Sequence, residues 1–247
     1  MDVKTAGRTV EIFELFAQAK EPLSLSEIAR GLDAPMSSCL YIVRALESRG
    51  YMYATGFRKH VYPTRKLLEL GTAIVSGESW VARLVPLLTE LRDTTKETVI
   101  LGKRQGAKVL YLMVIEGTQT IRYSSRAGEL KPYHASAIGK ALLGSMDKAE
   151  RAKLTGKIAF DATTESTLTS RDLLLEDVEE GTRRGYYRTR GENVADVMAV
   201  ACPIKVGSDY YAVALAGPLQ RLAQEEAAQV EHLKAFCQAV EVLEGFG

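Results

Sequence analysis

The segment APMSSCLYIVRALESRGYM (residues 34–52) carries side chains that can read nucleic acid. Ser37, Tyr41, Arg44 and Ser48 recur at spacings of four and three, which places them on one face of a helix. On such a face an arginine can hold a guanine edge or a phosphate. A serine can hold a phosphate or a base, and a tyrosine a phosphate or a thymine methyl. Cys39, Ile42, Val43 and Leu46 fall on the other side as an apolar stripe. The competing reading of the polar face is the solvated surface of an ordinary three-helix core. The next residues favour DNA. YMYATGFRKHVYPT alternates aromatic and β-branched residues around Gly56, with Arg58, Lys59 and His60 beside it, the pattern of a two-stranded hairpin with a basic tip.

Other groups are weaker candidates. Gly139-Lys140-Ala141 resembles the end of a phosphate loop, but the first glycine position is His134 and Ala141 stands where Ser or Thr is needed. Nucleotide binding is therefore not expected, and Gly139 and Ala141 read as small residues for close packing of a helix on a sheet. Glu192 and Asp196 are four apart without a partner histidine, which is poor material for acid–base catalysis. There is no GxSxG elbow and no dinucleotide fingerprint. Cys39, Cys202 and Cys237 form no CxxC pair and read as reduced, packed thiols. Three scattered histidines predict no metal centre, and no cofactor is expected.

The elements that position these groups follow from periodicity. Residues 8–19 have helical spacing. Ser24 and Glu27 have capping-box spacing for a short second helix that Gly31 ends. Pro35 opens the third helix and Gly50 closes it, so the three form a helix-turn-helix followed by a wing. Residues 64–95 have helical period, interrupted by Gly71, Gly77 and Pro86, and read as a linker helix (64–80) running into the first helix of the second domain. Beyond it, 97–123 predicts three strands turning at Gly106 and Gly117. SAIGKALLGSM, DKAERAKLT and RDLLLEDVEEGTRRG predict helices. YYRTR, VMAVACPIKV and YYAVALAG predict strands, and 221–245 a closing helix. The 247 residues thus divide into 1–63, 64–80 and 81–247. Residues 1–66 carry ten Lys/Arg against seven Asp/Glu and the remainder 22 against 24, a basic bias at the N-terminal end. No apolar run is long enough for a membrane span, and the N-terminus lacks a signal-peptide pattern, so a cytoplasmic protein with no membrane partner is expected.

GRTVEIFELFA, LSLSEIARGLDAPMSSCLYIVRALESRGYM and YPTRKLLELG, followed by YHASAIGKALLG, RRGYYRTRGENVADVMAVACPI and AVALAGP, together resemble the IclR-type transcriptional regulators over nearly the whole chain. The resemblance implies an α+β protein with an N-terminal winged helix-turn-helix, a linker helix and a C-terminal GAF-like/profilin-like effector-binding domain. It also implies a homodimer, or a dimer of dimers, on a pseudo-palindromic double-stranded DNA operator. The DNA-binding candidates are Arg8, Ser24, Ser37, Ser38, Tyr41, Arg44, Arg58, Lys59 and His60. Where the family's recognition helix usually reads Ser-Thr-Val-His-Arg-Leu-Leu, this chain has Ser37, Ser38, Cys39, Leu40, Tyr41, Ile42 and Val43. The family's base-reading Arg is thus replaced by Tyr41, with Arg44 one turn on to substitute. The glycine the family favours shortly after the acid at Glu192 is here Asp196.

The resemblance also implies an effector pocket between HASAIGKA and the last two sheet strands, at Thr120, Ala137, Ile138, Thr189, Val197, Ala199, Ala214 and Ala216. In relatives that take small hydroxy- or keto-acids, the Thr189 position is Asp, Ala199 is Cys, and Ala214 and Ala216 are serines. The small apolar residues here imply a wider, greasier cavity suited to an aromatic ring. Tyr133 joins the candidates with Tyr111, Tyr123 and Tyr186 nearby in sequence, and Arg122, Arg126, Arg188 or Arg190 are offered as the clasp for a carboxylate. The alternatives are ordinary strand tyrosines, solvated arginines and a filled core. His134 reads as a histidine satisfied by backbone. The leading expectation is a ligand-responsive repressor of a catabolic operon whose effector is a small carboxylic acid, aromatic by preference. A protein–protein adaptor and an enzyme on a sensor-like fold are the alternatives.

Overall fold

The computed structural model describes residues 4–56, 59–77 and 79–242. The chain divides into two compact units that meet in sequence at Ser79 and Trp80. In the first, α1 (Lys4–Ala19), α2 (Leu25–Gly31) and α3 (Met36–Ser48) precede a hairpin of β1 (Met52–Ala54) and β2 (Val61–Pro63), and α4 (Lys66–Ser76) comes last. The apolar stripe of α3, Cys39, Ile42, Val43 and Leu46, is buried against Ile12 and Phe16 of α1 and Ile28 of α2. Ser24 caps α2 in a capping box: its hydroxyl accepts the Glu27 N–H, and its own N–H donates to the Glu27 carboxylate at 2.7 Å. Leu23 bridges to Val61, adding a third short edge to the wing.

Several local expectations need correction. The first helix begins at Lys4, four residues earlier than its apolar pattern suggests. Gly31 does end α2, as expected, but what it supplies is space, because a Cβ there would lie 2.8 Å from Leu15; the left-handed residue in the turn is Asp33. Gly71 lies within α4 without breaking it. The break comes at Gly77.

The second unit is a six-stranded antiparallel sheet in the order β5-β4-β3-β8-β7-β6. Its elements are α5 (Ser79–Thr95), β3 (Thr98–Gln105), β4 (Lys108–Ile115), β5 (Leu130–Pro132), α6 (Ala137–Gly144), α7 (Lys148–Thr155), α8 (Arg171–Arg184), β6 (Tyr187–Arg190), β7 (Val197–Val206), β8 (Asp209–Pro218), α9 (Leu219–Gln224) and α10 (Glu226–Val242). Pro86 lies inside α5. The closing helix is two helices divided at Glu225. TQTIRY is not a strand. The Thr98 hydroxyl accepts the Gly117 N–H at 3.0 Å and donates to the Tyr123 carbonyl, which draws the backbone out of ladder register; the third strand is β5.

Both sheet faces are covered, so the central strands are apolar at successive positions. One face carries large side chains, Val213 and Leu215 of β8 with Met198, Val200 and Ile204 of β7, against α5, α9 and α10. The other carries Ala212, Ala214 and Ala216 of β8 with Ala201 of β7, against α6 and α8. The alanine face lets α6 approach. Tyr187 then wedges between α6 and α8, and only glycines leave it room: a Cβ at Gly144 would lie 1.8 Å from its hydroxyl, and one at Gly181 2.5 Å from its ring.

Gly181→Ala should therefore destabilise the protein by roughly 1–3 kcal/mol through overpacking. Gly71→Ala, where an added Cβ meets nothing, should instead stabilise α4 by up to about 1 kcal/mol. Urea unfolding of both variants against the parent checks the opposite signs.

Candidate functional site

The first unit presents a helix face. Ser37, Tyr41, Arg44 and Ser48 are exposed on α3 opposite the buried stripe, Tyr41 at 72%. Ser48 donates to the Ala45 carbonyl in its own helix. Arg8 donates to the Ser38 hydroxyl at 3.1 Å, tying α1 to the first turn of α3. Thr5, Thr9 and Arg49, which the sequence did not single out, border the groove beside Ser38 and Tyr41. Ser24 is engaged in capping. His60 Nε2 lies 3.6 Å from the same Glu27 carboxylate, which the Ser24 hydrogen bonds, with a smaller contribution from His60, hold below the usual carboxylate range. Lys59 is exposed, in a left-handed conformation, beside the wing tip. Arg58 lies outside the described residues. Two backbone anchors fix the chain after α3: the Thr64 hydroxyl donates to the Gly50 carbonyl at 2.6 Å and the Lys66 ammonium to the Arg49 carbonyl at 2.7 Å.

The second unit holds a cavity between the alanine face and the start of α6. Ala137, Ile138, Thr189, Val197, Ala199, Ala214 and Ala216 all line it. So do Ile100, Tyr111, Tyr123, Ala135, Ser136, Asn193 and Val194. Of these Ser136 was legible as the residue before an apolar helix; its hydroxyl caps α6 by accepting the Gly139 N–H. Asn193 and Val194 were not, because they come from the loop between β6 and β7. Among the described residues no charged side chain lines the cavity. Its polar groups are the Tyr111 and Tyr123 hydroxyls, Ser136, Thr189, the Asn193 amide and the N-terminus of α6, whose first N–H groups favour negative charge. Burial lifts the Tyr111 hydroxyl well above its ordinary pKa, so it stays a proton donor. The cavity is narrow, about 30 Å³, against the roughly 150 Å³ of a protein cavity that holds benzene.

Three sequence candidates stand elsewhere. Thr120 is exposed in the loop after β4. Arg122, close to it, is paired with Glu116 at 2.9 Å. Tyr133 is fully buried with its hydroxyl unpartnered, its pKa pushed up to about 12 by burial, and does not line the cavity. The other arginines offered as a clasp are also engaged or exposed elsewhere: Arg188 and Arg190 both pair with Glu226 of α10, which accepts the Tyr186 hydroxyl as well. His134 is buried, with Nε2 3.1 Å from the Asp161 carbonyl.

A buried lysine builds the cavity wall. Lys140 of α6 is fully buried, with its ammonium 2.7 Å from Glu192 and 2.8 Å from Asp177 of α8, and it donates to the Arg188 carbonyl. Glu192 precedes Asn193 and Val194, so this contact holds the loop that lines the cavity. Three hydroxyls hold it from the other side: Thr163 and Thr167 donate to the Glu192 carbonyl at 2.9 and 2.7 Å, and Thr164 to the Gly191 carbonyl at 2.6 Å. Burial outweighs Lys140 and lifts the Glu192 carboxyl above the usual range. Gly139, beside Lys140, has its α-carbon against the Tyr133 backbone, where a Cβ would lie 2.5 Å from the carbonyl. It is therefore needed for the turn into α6.

Among the described residues no cluster of three or more His, Cys, Asp and Glu could hold a metal ion, and no helix is long and apolar enough to cross a membrane. Comparison with known proteins gives a consistent result. Residues 5–55 match the model of the IclR helix-turn-helix domain, and residues 72–242 that of the bacterial transcriptional regulator IclR C-terminal domain. The chain is 30% identical over 224 residues to the HTH-type transcriptional regulator BhcR of Paracoccus denitrificans (strain Pd 1222), covering 89% of this chain and 79% of that one. In structure it is similar to the IclR of Thermotoga maritima, with a TM-score of 0.80 at 24% identity over 97% of this chain and 98% of that one. It is also similar to an IclR homolog from Microbacterium hydrocarbonoxydans complexed with 4-hydroxybenzoate, with a TM-score of 0.75 at 22% identity over 96% and 97%.

Lys140→Met leaves Glu192 and Asp177 without their cation and should cost about 3–5 kcal/mol at neutral pH. The raised Glu192 value means that the native state binds this proton more tightly than the unfolded chain. The associated stability is present below the ordinary carboxylate value and lost as pH rises through the folded one. Without Lys140 that value rises further, so the variant's deficit should shrink as pH falls from neutrality. Urea midpoints at several pH values check this; a deficit constant with pH would exclude the mechanism.

Proposed function

The chain belongs to the IclR family of bacterial transcriptional regulators, and on that premise we propose that it represses a catabolic operon until a small carboxylic acid, aromatic by preference, fills the alanine-walled cavity. The observation that carries the effector class is the cavity's lining: small apolar walls, a helix N-terminus and neutral hydroxyl and amide groups, with charge kept outside. A carboxylate would be met by the first N–H groups of α6, by Ser136 and by the Tyr111, Tyr123 or Asn193 donors, and the ring by Ala199, Ala214, Ala216 and Val197. The 4-hydroxybenzoate complex of the Microbacterium hydrocarbonoxydans homolog supports the class. The volume requires the wall to move on binding, and the loop at Asn193 and Val194 is the part of the wall that lies between strands. The ligand changes DNA affinity only by as much as it binds one arrangement better than the other.

On DNA, α3 enters the major groove with Ser37, Tyr41 and Arg44 toward the bases. Lys59 and Arg58 of the wing contact phosphate, which makes affinity salt-dependent. Arg8, Ser24, Ser38 and His60 act mainly by holding α1, α2 and the wing around α3, since each has a partner within the unit. Two copies bind a pseudo-palindromic operator. The surface of α4 supports self-association, because Leu68, Ile74 and Val75 are 61–65% exposed on it.

The test is fluorescence anisotropy on DNA from upstream of the protein's own gene, with random DNA as control, at two salt concentrations and with a panel of aromatic and aliphatic acids. Arg44→Ala should cost about 1–3 kcal/mol on operator DNA and much less on random DNA; equal losses would remove its base-reading role. Ala214→Leu should abolish the response to the acid while operator binding persists. A response that survives it would place the effector elsewhere.

A further inference from the structure

The end of the sheet away from the effector cavity carries two further concavities. Ile100 of β3 lines the cavity, and Arg104, four residues on along the same strand and on the same face, stands about 13 Å away. One concavity, of about 340 Å³, is bordered by Arg104, Glu150, Lys153, Leu154 and Lys157. The other, of about 540 Å³, shares Arg104, Gly106 and Glu150 with it and continues to Leu142, Ser208, Asp209 and Tyr210. Both have the size of small-molecule sites as they stand. The first is cationic. Three cations against one carboxylate leave a net charge of +2. Lys153 is on α7 and Lys157 just after it; both are exposed, and among the described residues neither ammonium has an ion pair or a hydrogen bond. Arg104 is held on one side: its Nη1 donates to Glu150 Oε1 at 2.5 Å, and its Nε and Nη2 groups have no partner among the described residues. A guanidinium presents five donors in a planar fork, so the Nε–Nη2 edge is left to take two oxygens of one anion side by side. The second concavity has different chemistry. The Ser208 hydroxyl and the Asp209 carboxylate are exposed at the turn into β8, and among the described residues neither has a partner. Such groups hydrogen-bond ligand hydroxyls, and Tyr210, 45% exposed, offers a ring beside them.

We propose that these two concavities form a second small-molecule site, for a phosphorylated polyol of the sugar phosphate class. The phosphate group lies among Arg104, Lys153 and Lys157, and the hydroxyl-bearing part extends past Gly106 toward Ser208, Asp209 and Tyr210. A single dianionic group matches the net charge of the first concavity, and its oxygens match the free edge of the Arg104 fork. Gly106 leaves the passage open: it turns in the left-handed conformation, and a Cβ there would meet nothing within 4 Å. Asp209 selects against dicarboxylic acids, because a second carboxylate reaching it would meet a like charge. The site does not depend on what fills the alanine-walled cavity. One helix reaches both, since the first turn of α6 floors that cavity and Leu142 of α6 borders this one.

The experiment is phosphorus NMR on the full-length protein without DNA, titrated into inorganic phosphate, glycerol 3-phosphate, ribose 5-phosphate and glucose 6-phosphate at constant ionic strength, with succinate as competitor. Saturable broadening of the phosphorus signal is expected, with at least one sugar phosphate binding more tightly than inorganic phosphate. The double variant Lys153→Gln/Lys157→Gln should weaken binding by about tenfold or more. Arg104→Lys should weaken it as well, because an ammonium lacks the fork. Asp209→Ala should remove the advantage of the sugar phosphate while inorganic phosphate still binds. The two lysines and Asp209 are exposed and unpaired, so these variants should keep the parent's circular dichroism and urea midpoint. No saturable broadening with any of the four compounds overturns the proposal. Broadening that survives Lys153→Gln/Lys157→Gln belongs to another basic surface, the α3 face included, and overturns it equally. Succinate that competes as well as glycerol 3-phosphate does would overturn the assigned class.

Discussion

The second unit depends on one buried charge. An ammonium inside a protein is tolerated only when anions and carbonyls close around it, and Lys140 recruits them from three places: Asp177 on α8, Glu192 in the loop after β6, and the Arg188 carbonyl on β6. Satisfying that one cation fixes how α6 lies against α8 and where the β6–β7 loop passes. The cavity inherits both. Its floor is the N-terminal turn of α6, and part of its wall is the segment that begins one residue after Glu192. The threonines at 163, 164 and 167 complete the arrangement by taking the carbonyls that the loop's turn leaves without ladder partners.

The asymmetry of the sheet explains why a cavity exists there at all. Side chains alternate across a strand, and along β7 and β8 the large ones fall on the α10 side while alanines fall on the α6 side. Large residues on one face make a filled core. Alanines on the other let a helix come close but leave little to fill the space beyond its first turn, where Ser136 and the N–H groups of α6 lie. The same alternation places Cys202 on the filled side, three residues from Ala199 yet on the opposite face.

Much of this was legible in the sequence wherever a local rule and the tertiary structure agree. The stripe of Cys39, Ile42, Val43 and Leu46, the Ser24–Glu27 box and the Gly50 stop are each set within a few residues, and they define the helix-turn-helix. The alanines of β7 and β8 could be assigned to a pocket from the family resemblance, and the structure gathers Ala199, Ala214 and Ala216 at one cavity. Long-range pairing was not legible. Arg188 looked available for a ligand because nothing in its own segment shows that Glu226 of α10 holds it; Arg122 is held by Glu116, only six residues away, through a turn where the sequence pattern predicts a strand. Residues 118–123 had the composition of a strand, but the Thr98 hydroxyl competes for their backbone from β3. Asn193 lies in a loop whose path is set by Lys140, 53 positions earlier in the chain, a dependence that no periodicity records.

The lack of charge in the cavity bears on selectivity. A guanidinium clasp would bind almost any carboxylate and leave discrimination to size. Neutral donors on tyrosine, serine and asparagine are narrower in geometry, and a ligand that leaves one of them unpaired in a buried site incurs its desolvation cost. The narrowness acts in the same direction. A ligand must offset the work of widening the wall before it gains affinity, so the apparent affinity is the intrinsic one scaled by the fraction of molecules already open. If this cavity takes the effector, as proposed, the Lys140 and threonine contacts that hold its wall help determine how strongly that effector must bind before the regulator responds.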